Sequence, residues 1–124
     1  ADVSIFATGR LVWEAILAGE MLESEGIDAE IINIHTIKPL DEEAILKSAA
    51  KTRAVVTAEE HNRLGGLGDS VAQVLVRNLL VPQEYVAVND SFGESGTPDQ
   101  LMIKYGLTAR NIVEAAKKAI ARKG

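Results

Sequence analysis

Short apolar runs of β character alternate with segments of helical period along the whole of this chain, and few folds accommodate that alternation. Residues 3–8 read VSIFAT, a β-rich run that ends at Gly9. Helical spacing follows, with Val12, Ala15, Ile16, Gly19 and Leu22 on one face and Gly26 placed as a stop. Ile31, Ile32 and Ile34 form a second strand, apolar enough for a sheet covered on both faces. Asp41 is the expected N-cap of the next helix, with Glu42 and Glu43 in its first turn and Ile45 and Ala49 inward. Residues 54–58 make a third strand, and the helix after it buries Leu67, Val71, Val74, Leu75 and Leu79. Residues 85–88 make a fourth. Thr97-Pro98 opens a short helix that ends at Gly106, and Thr108 caps a last helix carrying Ile112, Ala116, Ala119 and Ile120 on one side.

Strand, helix, strand, helix predicts an α/β fold: a three-layer α/β/α sandwich on a mostly parallel sheet of four to five strands, with right-handed crossovers. At 124 residues the chain is read as one domain, and its start at Ala1, a residue short of the first strand, reads as the edge of an excised piece. Acids outnumber bases 18 to 13, a net charge of -5, so the positive footprint of a nucleic-acid binder is missing. Lys117, Lys118, Arg122 and Lys123 are the one basic cluster, and they suit a helix C-terminus. No apolar run approaches the ~20 residues of a membrane span. The absence of cysteine excludes disulfides, thiol nucleophiles and thiolate metal sites, and it suits the cytoplasm, where this reading places the chain.

The stretch richest in chemistry is TAEEHNRLGGLGDS, residues 57–70, at the end of the third strand. Ligands of open α/β sheets gather at that edge. Glu59, Glu60 and His61 have the makings of a proton-transfer group, because adjacent carboxylates raise one another's pKa and histidine titrates near neutrality. Against this, consecutive residues point different ways, and no second group is tied to them by spacing, so the chain is not expected to catalyse alone. Gly65, Gly66 and Gly68 precede a helix whose first amides suit an anion. The third glycine of a dinucleotide fingerprint is absent, no Gly-Lys-Ser/Thr follows, and Asp69 repels phosphate. A tight turn with close helix–strand packing is the simpler role. His35 reads as a hydrogen-bonded edge residue rather than a metal ligand, and no metal site is assigned. Trp13 belongs to the core or to an interface, and Phe92, in the loop NDSFGESG at residues 89–96, suits a partner contact.

Three segments in order, SIFATGRLVWEAILAGEMLESEGIDAEIINIHTIKPLDEEAI, VVTAEEHNRLGGLGDSVAQVL and DSFGESGTPDQLMIKYGLTARNIVEAAKKA, closely resemble the C-terminal domain of transketolase-like, thiamine-diphosphate-dependent enzymes. The resemblance extends to 2-oxo-acid dehydrogenase β subunits and deoxyxylulose-phosphate synthases, and the last segment tips it toward the small, C-terminal half of a split transketolase. It implies a mixed five-stranded sheet with one antiparallel edge strand. It also implies a parent transferase that moves a two-carbon ketol unit between sugar phosphates of the pentose phosphate pathway, using thiamine diphosphate and a divalent metal. Those cofactors sit between the family's N-terminal and middle domains, whose motifs this chain lacks, so no cofactor is assigned to it. Its expected partners are those domains or the subunit that carries them, together with further copies of itself. Glu60, His61, Arg63, Phe92 and Glu94, all in loops at strand C-terminal ends, are the residues expected to face the active site or the partner. The rival reading is a stand-alone, flavodoxin-like regulatory module that binds an anion at the turn from Gly65 to Gly68.

Overall fold

A computed structural model describes residues 1–35, 40–62, 66–88, 103 and 106–123, with backbone alone at 61, 62 and 88. The elements run β1 (Val3–Ala7), α1 (Leu11–Glu23), β2 (Ala29–Asn33), α2 (Glu42–Thr52), β3 (Val55–Asn62), α3 (Leu67–Asn78), β4 (Gln83–Val88) and α4 (Ala109–Arg122). The strands lie in the order β2-β1-β3-β4, and every pairing is parallel. The α/β/α sandwich is therefore as expected. Among the described residues the sheet has four strands, and the antiparallel edge strand implied by the resemblance is not among them.

The two-residue period of the strands divides the core. Val3, Ile5 and Ala7 of β1 join Val56 and Ala58 of β3 under α1 and α4, where Leu11, Ala15, Ala18, Leu22, Ile112 and Ala116 close the layer. Phe6 and Val55 face the other way, onto Ile45 and Ala49 of α2 and Leu67, Val71, Val74 and Leu75 of α3. From β1 the chain steps one way to β2 with α1 on one face. It then returns past β1 to β3 and β4 with α2 and α3 on the other face. A single hand of crossover demands that arrangement, and it leaves a topological switch point between the C-terminal ends of β1 and β3.

The inward face of α1 differs from its sequence reading. Leu11, Ala15, Ala18 and Leu22 are buried, while Ile16 points to solvent, so the buried stripe is rotated from the expected one. Alanine at two of the four inward positions brings α1 close to both the sheet and α4. Trp13, at 71% exposure, is not a core residue. Gly26 ends the approach to β2 with φ +79, the Asp41 side chain caps α2 by accepting from the Ala44 amide at 3.1 Å, and Gly106 turns into α4 with φ +72. Thr108 and Asn111 make a capping box at α4, with Asn111 Oδ1 accepting from the Thr108 amide at 3.1 Å.

The basic cluster of α4 makes specific contacts rather than only favouring a dipole. Lys117 pairs with Glu25 at 2.6 Å, Arg122 pairs with Glu84, and Lys123 Nζ donates to the carbonyls of Asp2 at 2.8 Å and Thr52 at 2.9 Å. Under α2, the Ser4 hydroxyl bonds those of Ser48 at 2.6 Å and Thr52 at 2.7 Å, so these buried polar groups find partners.

Candidate functional site

The switch-point edge is built by the residues that end β1 and β3. Gly9, at φ +57, turns the chain from β1 into α1, and Glu60 lies against it: a Cβ at Gly9 would stand 2.8 Å from Glu60 Oε1. The ladder between β3 and β4 slips between Ala58 and Asn62. A bulge of this kind re-aims side chains at a strand end. Here Glu59 is sunk to 2% exposure, while Glu60 stays half-buried at the crevice.

Glu59 has a definite task. The Leu67 amide donates to its Oε1 at 2.9 Å, and the Gly68 amide donates to its Oε2 at 2.7 Å. Both are first-turn amides of α3, which the helix itself leaves without partners. A carboxylate there is favoured further by the helix dipole. The amides on which the rival reading seats an anion thus already hold the protein's own carboxylate, which removes the basis of the regulatory-module reading at this turn. The sequence pattern sets Glu59 beside Glu60 and His61 without tying them into a proton-transfer group, and Glu59 is in fact a helix cap. The signal was present in the sequence as an acid at the end of an apolar strand, facing a Gly-x-Gly helix start.

Gly68 explains the glycine requirement. A Cβ there would lie 2.4 Å from Tyr85 Cε2 and 3.0 Å from Thr57 Oγ1, so α3 meets the sheet where no side chain fits. Gln83 Nε2 donates to the Gly68 carbonyl at 2.9 Å and to Thr57 Oγ1 at 3.2 Å, and the Tyr85 hydroxyl bonds Asp69 at 3.1 Å. A second long-range cap, also absent from the sequence reading, ties the opposite layer: Glu14 of α1 accepts from the Ala109 amide at 2.9 Å, at the start of α4.

Of the five residues expected to face a partner or active site, Glu60 stands at the crevice. His61 contributes its backbone to β3, and Arg63, Phe92 and Glu94 lie outside the described residues. His35 is exposed just after β2. The described residues do not fit a diphosphate with its metal. Glu59 already occupies the first amides of α3, and no group of three His, Asp or Glu side chains converges among the described residues. No helix among them is long and apolar enough to cross a membrane.

The order of strands and the crevice between β1 and β3 define a doubly wound α/β domain. Its sequence places it more narrowly: the family model for the transketolase C-terminal domain matches residues 1–112, and the chain belongs to that family. A 6-deoxy-6-sulfo-D-fructose transketolase subunit of Clostridium sp. (strain MSTE9) is 54% identical over 122 residues, covering 98% of this chain and 38% of that one. A 1-deoxy-D-xylulose-5-phosphate synthase of Heliobacterium modesticaldum is 38% identical over 126 residues, covering 95% of this chain and 18% of the synthase. A solved split-gene transketolase, described as an inactive β4 tetramer, superposes with a TM-score of 0.95 at 50% identity, covering 99% of this chain and 40% of that one. The chain spans about two fifths or less of the length of these relatives.

Proposed function

We propose that the chain is the C-terminal assembly domain of a split transketolase-type enzyme and is not catalytic by itself. The whole enzyme moves a two-carbon ketol unit between sugar phosphates in the cytoplasm, and thiamine diphosphate with a divalent metal supplies its carbanion chemistry. Those groups belong to the partner section, which corresponds to the N-terminal and middle domains. The observation that carries this reading is the identity of 50% and 54% to two split or subunit transketolases, sustained over 99% and 98% of the chain. The carboxylate best placed for chemistry by sequence, Glu59, is committed to a helix cap, which agrees with a supporting role. Glu60 at the switch-point crevice, with His61, Arg63, Phe92 and Glu94 on the same edge of the sequence pattern, is assigned to the approach to the partner's active site.

The test mixes the chain with its partner section, thiamine diphosphate and magnesium, and offers a ketose-phosphate donor and an aldose-phosphate acceptor. Ketol transfer by the mixture and by neither part alone is expected. Transfer by the chain alone, or failure of the two to associate, overturns the proposal. The 38% identity to a deoxyxylulose-phosphate synthase keeps a second reaction in view. Offering a 2-oxo acid as donor in the same assay separates the two.

A further inference from the structure

An acid drawn in from full solvent exposure needs a donor, and this fold supplies one in nearly every case. Asp2 accepts from the Asp28 amide at 2.8 Å, Glu14 from the Ala109 amide at 2.9 Å, and Asp69 from the Tyr85 hydroxyl at 3.1 Å. Glu30 pairs with Lys51, Glu84 pairs with Arg122, and Glu59 holds two amides of α3. Glu60 is the exception. It is half-buried, yet its carboxylate has no hydrogen bond or ion pair among the described residues.

The position of Glu60 says where the missing donor comes from. The bonds of Glu59 to α3 fix the backbone that carries it. Its Oε1 lies beside Gly9, which turns β1 into α1 at φ +57, is exposed, and has no side chain to screen the carboxylate. An unpaired carboxylate is thus held within reach at the crevice between the ends of β1 and β3, where open sheets take their ligands. A carboxylate repels the phosphate of a sugar phosphate, whereas a guanidinium or ammonium gains a charge-assisted bond there. Acids outnumber bases 18 to 13 in this chain, so a basic partner surface is its electrostatic complement. We propose that Glu60 is a docking residue: an arginine or lysine side chain of the partner section enters the crevice and pairs with its carboxylate. This deepens the assembly role proposed above by naming a point of contact, and it rests on that reading for the existence of the partner section.

Titration calorimetry of the chain against the purified partner section, at low and at high salt, tests this. Glu60→Gln keeps the shape of the side chain and removes its charge. It should weaken association at least tenfold at low salt, with an unchanged melting temperature. Its affinity should also depend less on salt than that of the wild type. Glu114→Gln removes the same charge from an exposed position on α4 and should bind as the wild type does. Wild-type affinity of Glu60→Gln overturns the inference. So does an equal loss in Glu114→Gln, which makes the effect one of net charge alone. A Glu60→Gln enzyme that assembles normally but shows a raised KM for the sugar phosphate overturns it in favour of a substrate contact. Failure of the wild-type sections to associate overturns the proposed function and this inference together, whereas a silent Glu60→Gln overturns this inference alone, so the two failures are told apart.

Discussion

Glu59 and Gly68 concentrate the physical chemistry of this domain in two residues. A buried carboxylate is tolerable only when fully hydrogen-bonded, and Glu59 is held on two amides that would otherwise be buried orphans. Glu59→Ala should cost about 2 kcal/mol or more of stability, since it strands both donors, and Glu59→Gln should cost less because an amide oxygen replaces one acceptor. Urea denaturation measures both. Acetate should raise the melting temperature of Glu59→Ala and leave the wild type unmoved, because only the variant presents an open anion site at α3. At Gly68 the added methyl of Gly68→Ala must displace the Tyr85 ring, and overpacking of that kind costs about 1–3 kcal/mol. Removing the ring with Tyr85→Ala should make the Gly68→Ala change nearly neutral, which a double-mutant cycle checks.

At the scale of elements, what was legible in the sequence was local. The Asp41 cap, the Gly26 stop and the alternation of strands with helices all follow from short-range chemistry, and each is found in place, while the short helix expected from Thr97 to Gly106 lies outside the described residues but for 103 and 106. The inward face of α1 was misjudged because Ile16 and Ala18 compete for it, and packing against α4 chose the smaller residue. The carboxylates of Glu14 and Glu59 reach partners 95 and 8 residues away, so hydrophobic period carries no trace of the first and only a glycine turn hints at the second. Of the candidate site, the location at the end of β3 was legible, while the division of labour between Glu59 and Glu60 needed the bulge.

The edge strand β2 adds a pH-dependent contact. The Lys51 ammonium, 2.6 Å from Glu30, and then the Ser48 hydroxyl hold the Glu30 carboxyl below its ordinary value of 4.5. A depressed carboxyl pKa stabilises the fold above the unfolded value and loses that contribution as the pH falls through the folded one. Lys51→Met should therefore lower stability by no more than about 1 kcal/mol at pH 7, because the pair is half-exposed, and the difference should vanish well below pH 4.5. Thermal melts of both proteins at the two pH values measure this.

Taken whole, the described molecule is a parallel α/β/α sandwich whose first α3 amides are occupied from within and whose helix α1 leaves Trp13, Ile16, Leu17 and Met21 exposed. That combination suits a domain that holds other parts of an enzyme together. The chain is proposed to complete a transketolase-type enzyme without performing its chemistry. The most direct measurement is ketol transfer by the purified partner section as the chain is titrated in, with thiamine diphosphate and magnesium at saturation. Activity should rise from near zero and level at equimolar chain, with none from the chain alone and with the wild-type plateau retained by the helix-cap variant Glu59→Gln wherever it remains folded. Full activity of the partner section without the chain, or turnover by the chain without its partner, would contradict it.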